Sequence, residues 1–199
     1  MGKYLQPLTI TYQDFVEEMC VNFNETGVNY FFQNYFSIVE SNLIQVLDGK
    51  DLLLDSEKLF SKNDEESISY IENFLIEKFS FQSISNIEKA IEIINNDSII
   101  KIKEVADEVF MTEKTLNRQF QKYVGCTLSK YKKIVKFRNT VAAHFNDSSL
   151  NLTELCLEND YFDSPHFNKE IKKIANFNPK NFFKKVKANG LQAYPYVFQ

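Results

Sequence analysis

One short stretch of the chain carries polar side chains that can form paired hydrogen bonds with the edges of DNA bases. Lys114, Asn117, Arg118 and Gln121 fall at i, i+3, i+4 and i+7, so a helix would place all four on one face. Arginine can donate two hydrogen bonds to guanine, and asparagine or glutamine can pair with adenine through two bonds. The stripe therefore indicates a base-contacting surface, and a face that meets only solvent is the alternative.

The element that must position this stripe is a short amphipathic helix. Leu116, Phe120 and Tyr123 form an apolar stripe that lies about 200° around the helix from the polar one, because each residue turns the chain by about 100°. Thr112 is suited to cap the start of this helix, and Gly125 is suited to end it in the left-handed conformation.

The same pattern occurs twice in the chain, in residues 102–131 and again in residues 152–182. In both copies a helix with apolar residues on one face is followed by a tight turn and a second, more polar helix, which is the sequence form of a helix-turn-helix. Asp163 and Asn176 repeat the cap and the terminator of the first copy. The matched pairs are Leu116 and Phe167, Asn117 and Asn168, Arg118 and Lys169, Phe120 and Ile171, Gln121 and Lys172, and Tyr131 and Phe182.

The second copy presents Ser164, Asn168 and Lys169 where the first presents its base-contacting stripe. These side chains include fewer bidentate donors, so we expect this unit to contribute more to affinity than to discrimination between sequences. A segment from about Ser129 to Phe145 joins the two units and is predicted to form a single long helix.

Charge is divided unequally along the chain. Residues 1–97 carry 6 lysines against 17 acidic residues, a net charge of −11, whereas residues 98–199 carry 17 basic against 10 acidic residues, a net charge of +7. This asymmetry is typical of a polyanion-binding segment attached to a region that does not bind polyanions, and a solvated basic face is the alternative. The lysines predicted to contact DNA phosphates are Lys122, Lys133, Lys172, Lys173 and Lys180.

Other functional classes find little support. The sequence contains no phosphate-binding loop and no nucleophile with an adjacent base, and the pairs Glu17-Glu18 and Glu65-Glu66 are interpreted as helix-surface charge. His144 and His166 show no metal-ligand spacing, so we expect no metal site, no cofactor and no enzymatic activity. Cys20, Cys126 and Cys156 are predicted to be small buried residues. With no apolar run of membrane-spanning length and no signal segment, we expect a soluble cytoplasmic protein.

The N-terminal half gives weaker signals. Loosely alternating apolar residues suggest a strand from Tyr12 to Phe23, although a helix fits as well, and an aromatic stripe favours a helix over residues 28–36. Short helices are expected in residues 37–60. A helix should begin after Asn63 and end near Phe79, and another should begin at a cap formed by Ser85 or Asn86 and end at residues 95–97.

The C-terminal residues resemble the DNA-binding domain of the AraC/XylS family of bacterial transcription regulators. The resemblance is carried by Glu104-Val-Ala-Asp-Glu-Val109, Leu116-Asn-Arg-Gln-Phe120, Tyr123-Val-Gly125, Tyr161-Phe-Asp-Ser-Pro-His-Phe167 and Phe177-Asn-Pro179. It implies two helix-turn-helix units on a linking helix, each with its second helix in a major groove on one face of the DNA. It also implies base contacts by Lys114, Asn117 and Arg118 and by Ser164, Asn168 and Lys169.

The chain departs from the family pattern at four positions. Phe110 and Asp160 stand where glycine is usual in the two turns, Lys136 stands where arginine is usual, and Leu128 replaces a usual proline. Phenylalanine does not readily adopt a positive φ, so the first turn is expected to be either strained or differently shaped. Residues 21–32 resemble the end of a family sensory domain more faintly, and the acidic half is then predicted to act as a protein interface.

These observations predict a mainly α fold, with two helix-turn-helix units joined by a long helix and preceded by a small α or α+β region. The expected division is an acidic region at residues 1–82, a double helix-turn-helix domain at 83–188 and a tail at 189–199. The predicted function is sequence-specific regulation of transcription through two adjacent major grooves of double-stranded DNA. Homodimerisation, a protein partner or a small-molecule effector for the acidic region stays open. The alternative is an interaction or antagonist protein that keeps the helical fold without binding DNA.

Overall fold

The structure is a computed structural model that describes residues 19–33, 35, 55–60, 63–147 and 149–189. Within these ranges the chain forms helices and no strand, which confirms the predicted mainly α class. A 3-10 helix covers Gly27–Tyr30. The α-helices are α1 (Ser56–Phe60), α2 (Asp64–Lys78), α3 (Ser85–Asn96), α4 (Ile102–Glu108), α5 (Glu113–Tyr123), α6 (Leu128–Asn146), α7 (Leu152–Glu158), α8 (Ser164–Ala175) and α9 (Pro179–Asn189).

The chain divides into two compact bodies. Among the described residues, the N-terminal body contains those up to Ile84 together with Lys122–Gly125, and the C-terminal body contains Ser85–Gln121 and the residues from Cys126 onward.

The start of α2 in the N-terminal body follows from local capping. The Asn63 side chain accepts a hydrogen bond from the Glu66 N–H at 3.0 Å. Three acidic residues in the first turn and Lys78 in the last complement the helix dipole. Because α1 packs against α2, the Ser67 hydroxyl can donate to the Leu59 carbonyl at 2.7 Å. The helix predicted to follow Asn63 is therefore confirmed.

The aromatic segment before α1 differs from the prediction. Residues 19–26 form neither strand nor helix, and residues 31–33 form turns and a bend. Gly27–Tyr30 forms a 3-10 helix with short-range bonds such as that from the Asn29 N–H to the Thr26 carbonyl, and Tyr35 is helical. The predicted strand was wrong where it is described, because Val28 and Tyr35 bury their side chains locally against Phe23 and Phe32. The rest of that strand, the short helices expected in residues 37–54 and the tail from residue 190 lie outside the described residues.

The C-terminal body begins with α3, whose apolar face is formed by four buried residues, Ile87, Ala90, Ile91 and Ile94. The helix begins at Ser85 itself, one residue earlier than a Ser85 cap would place it. This face packs against α4 and α6, and the Tyr131 hydroxyl of α6 donates to the Asn95 side-chain oxygen at 3.0 Å.

The two helix-turn-helix units are built in the same way. In the first, Val105 and Ala106 of α4 and Leu116 and Phe120 of α5 are buried. In the second, the equivalent positions of α7 and α8 form one core with residues of α6 and α9. Its buried members are Phe137, Val141, Leu155, Cys156, Tyr161, Phe167, Ile171, Ala175, Phe182 and Phe183.

Each unit turns its chain through a residue of positive φ. Phe110 has a φ of 55° and Asp160 a φ of 57°, which means that the first turn keeps the shape that glycine normally provides. For an L-amino acid this conformation costs about 1–2 kcal/mol. The Phe110 side chain recovers little of that cost by packing, because it is 92 % exposed. Of the two expectations for this turn, strain is the one observed.

Replacing Phe110 by glycine should therefore stabilise the protein. The gain is expected to be about 0.5–1 kcal/mol, since relief of the strain exceeds the extra unfolded-state entropy of glycine. Urea unfolding of the full chain measures it. The matched control is Asp160→Gly, which should give a smaller gain because aspartate tolerates positive φ better. A loss of stability in Phe110→Gly would show that the exposed ring makes favourable contacts.

Candidate nucleic-acid interface

Helix α5 presents the first set of predicted base-contacting side chains. The Thr112 hydroxyl oxygen accepts a hydrogen bond from the Thr115 N–H at 3.2 Å, which confirms the predicted cap. With Leu116 and Phe120 sealed in the core, the Lys114, Arg118 and Gln121 side chains are exposed.

Asn117 differs from its three companions on this helix. Its side chain is half-buried, and its carbonyl oxygen accepts a hydrogen bond from the backbone N–H of Leu128 at 3.2 Å. The two residues belong to different helices, since Leu128 is the first residue of α6.

Helix α8 presents the second set. Asp163 caps it by accepting a hydrogen bond from the His166 N–H at 2.6 Å, and Pro165 stands in its first turn, where no intrahelical N–H is needed. Its Ser164, Asn168 and Lys169 side chains are exposed. The helix ends at Asn176 with a φ of 59°, as predicted for the equivalent of Gly125, which has a φ of 80°.

The linking helix α6 contacts both of these helices. At the first, the rings of Phe120 and Tyr131 meet edge to face with centroids 5.6 Å apart. At the second, the Lys133 ammonium lies 3.0 Å from the Glu170 carboxylate. The predicted single helix between the units is thus confirmed, and it is the scaffold on which α5 and α8 are placed.

The second turn is held by a lysine of α6. Lys136 Nζ donates to the Asp160 carbonyl at 2.6 Å and lies 4.2 Å from the centroid of the Tyr161 ring. Burial against these groups lowers the pKa of the Lys136 ammonium. Burial likewise raises the pKa of Tyr161 to about 12, although the Thr140 hydroxyl 3.3 Å from its phenol oxygen opposes that shift. Lys136 therefore holds the turn of the second helix-turn-helix unit. Its place in a lysine-rich segment of the sequence did not indicate this role.

The lysines predicted to contact phosphates fall into two groups. Lys122, Lys172, Lys173 and Lys180 are exposed. The Lys122 ammonium lies 4.7 Å from the centroid of the Tyr123 ring. Lys133 is also exposed but already has an acidic partner in Glu170, so it has less positive charge to offer a phosphate.

Side chains considered for other chemistry do not form a site in the described part of the chain. His166 is exposed, with its ring 5.9 Å from that of Tyr161. Cys126 and Cys156 are buried as predicted, whereas the prediction for Cys20 was wrong, because it lies exposed in an irregular segment. No cluster of three potential metal ligands occurs among the residues described.

None of the described helices has the length and apolar character needed to cross a membrane.

Comparison with known proteins identifies the C-terminal part of the chain. No curated protein and no solved structure matches the chain significantly. A protein-family model described as a helix-turn-helix domain matches residues 105–185, which run from within α4 to within α9 and include α5 to α8. Domains of this kind are DNA-binding domains of transcription regulators. Residues 105–185 therefore match a helix-turn-helix domain, in the same region whose motifs resemble the AraC/XylS family.

Proposed function

We propose that this protein regulates transcription by binding a specific double-stranded sequence, with α5 and α8 in two successive major grooves. The observation that carries the proposal is the division of each helix into a buried apolar face and an exposed face of polar and basic side chains. A major groove is wide enough to admit such a helix, and its base edges present donors and acceptors that these side chains can match.

The proposed base-contacting residues are Lys114, Arg118 and Gln121 in the first unit and Ser164, Asn168 and Lys169 in the second. All six are exposed, and each set lies on a helix whose start is capped by a side chain. Both helices contact α6, so the two sets belong to one structural unit. If each occupies a major groove on the same face of the duplex, their sites lie one helical turn apart, roughly 10 base pairs.

The decisive experiment is selection of bound sequences from a random pool of duplex DNA by the full chain. Two short conserved blocks separated by about one turn of DNA are the expected result. A single block would remove one unit from base recognition. Binding without any enriched sequence would leave a non-specific DNA binder, and no binding at low salt would favour an interaction protein that has kept the fold.

Replacing Arg118 by alanine tests direct base recognition. The substitution should weaken binding to the selected site by about 1–3 kcal/mol, because a bidentate arginine contact contributes this much to discrimination. Its effect should be concentrated at one base pair, so the variant should tolerate substitution there. Titration of labelled duplexes that differ at single positions measures both effects.

The matched control for Arg118 is Lys122→Ala on the same helix. Lys122 is proposed to contact a phosphate, so its removal should weaken binding to all duplexes by a similar factor. If Arg118→Ala also lost affinity equally on every duplex, Arg118 would be reassigned to the phosphate backbone.

A further inference from the structure

Asn117 and Asn168 occupy equivalent positions in the two units but have different surroundings. Asn168 is exposed, whereas Asn117 is half-buried with its side-chain oxygen bonded to the Leu128 N–H. The difference originates in the helices that follow α5 and α8, and not in the asparagines themselves.

The starts of α6 and α9 match residue by residue. Thr127 accepts a hydrogen bond from the Lys130 N–H at 3.2 Å, and Asn178 accepts one from the Asn181 N–H at 2.9 Å. The residue after each cap is Leu128 in the first unit and Pro179 in the second. Proline has no N–H, so Asn168 has no donor to accept from at that point.

Leu128 retains an N–H at a position where no intrahelical acceptor exists. The first N–H groups of a helix lack partners within the helix, and an unsatisfied buried donor is destabilising. Leu128 is fully buried at 0 % exposure, and water therefore has poor access to its backbone. The Asn117 oxygen supplies the missing acceptor.

This contact also restricts what Asn117 can offer a base. Bidentate pairing with adenine needs both the amide nitrogen and the carbonyl oxygen of the side chain. In this structure the oxygen is directed to the start of α6, so the two groups are not available together.

We propose that Asn117 is a positioning residue that joins α5 to the start of α6, and that adenine recognition by an asparagine at this position belongs to Asn168 alone. The inference rests on the proposed function for its statement about bases, but its structural half is independent of DNA. It makes Asn117 the acceptor that satisfies the Leu128 N–H at the junction of α5 and α6.

The structural half is tested by a double-mutant cycle in the full chain with Asn117→Ala, Leu128→Pro and the double variant, followed by urea unfolding. Thr127, which precedes the new proline, has φ −72° and ψ 153°, a conformation that a residue before proline prefers. In the wild-type background Asn117→Ala should increase the unfolding equilibrium constant about 5- to 100-fold, because the Leu128 N–H loses its acceptor. In the Leu128→Pro background the same substitution should change it less than about twofold. Equal effects in both backgrounds would overturn the proposal.

A second comparison keeps the test decisive if loss of the leucine side chain prevents Leu128→Pro from folding. Asn117→Asp retains an oxygen acceptor, so its unfolding constant should stay much closer to the wild-type value than that of Asn117→Ala. An Asn117→Asp variant as unstable as Asn117→Ala would contradict the assignment.

The statement about bases is tested by selection from a random duplex pool with Asn117→Ala and Asn168→Ala. Asn117→Ala should retain the wild-type base preference, whereas Asn168→Ala should lose the preference at one base pair. Loss of preference at a single position in Asn117→Ala would overturn the proposal. If the wild-type chain itself enriches no sequence, the proposed function fails, while the unfolding cycle still decides the contact between Asn117 and Leu128.

Discussion

Raising the monovalent salt concentration from 50 to 200 mM should weaken DNA binding by the full chain about 100- to 500-fold. Each lysine that neutralises a phosphate releases condensed counterions, so the logarithm of affinity should fall linearly with that of salt, with a slope of about −0.9 per contact. Four or five phosphate contacts give slopes of about −3.6 to −4.5. The range reflects Lys133, whose ammonium already lies 3.0 Å from Glu170.

Single variants make the salt experiment specific. Lys172→Ala should reduce the magnitude of the slope by about 0.9, because Lys172 is exposed and is proposed to contact a phosphate. Lys133→Ala, the matched control, should change it less, since part of its charge is compensated in the free protein. A slope near zero for the wild-type chain would contradict binding through the basic surface altogether.

Replacing Phe167 by alanine should lower the free energy of unfolding by about 3–5 kcal/mol. Phe167 is 1 % exposed and meets Tyr161 edge to face with ring centroids 5.0 Å apart, at the point where α7, the turn and α8 come together. Its removal leaves a cavity beneath the first turn of α8. A loss of this size is comparable with the whole stability of many small domains, so DNA binding by the second unit should fail with it.

Phe162→Ala is the matched control for this substitution. Phe162 lies five residues earlier and is 90 % exposed, so the same chemical change should alter stability by less than about 0.5 kcal/mol. Urea unfolding monitored by circular dichroism measures both variants. Similar losses in the two would mean that burial does not determine the role of these rings, contrary to the packing of the second core.

Much of the C-terminal half was predictable because its signals are local. The caps Thr112 and Asp163 and the terminators Gly125 and Asn176 act within four residues of the chain. The repeat added long-range information, since two copies with the same apolar positions must bury the same faces. Matched residues such as Phe120 and Ile171 are indeed both fully buried.

The N-terminal half was less predictable because it offers neither repeat nor strong periodicity. The helix after Asn63, which has a cap and an acidic first turn, was confirmed, and so was the helix predicted to end at residues 95–97. The aromatic segment around Gly27–Tyr30 forms a 3-10 turn whose stabilisation includes the stacking of Tyr30 on Phe79, 5.9 Å away, and a bond from the Ser80 N–H to the Tyr30 carbonyl. Such contacts join residues about fifty positions apart, which periodicity does not detect.

The amino-acid sequence by itself determined the helical class, the two helix-turn-helix units, the linking helix and the polar faces of α5 and α8. It could do so because caps and apolar spacing act over one or two helical turns. Tertiary structure alone decided how individual polar side chains of α5 and α6 are used. Asn117 bonds to Leu128 across a helix junction, Lys133 pairs with Glu170, and Lys136 holds the turn at Asp160. These partners lie 11 to 37 positions apart, and a hydrogen bond or an ion pair depends on distances of a few ångströms that only the packed chain defines.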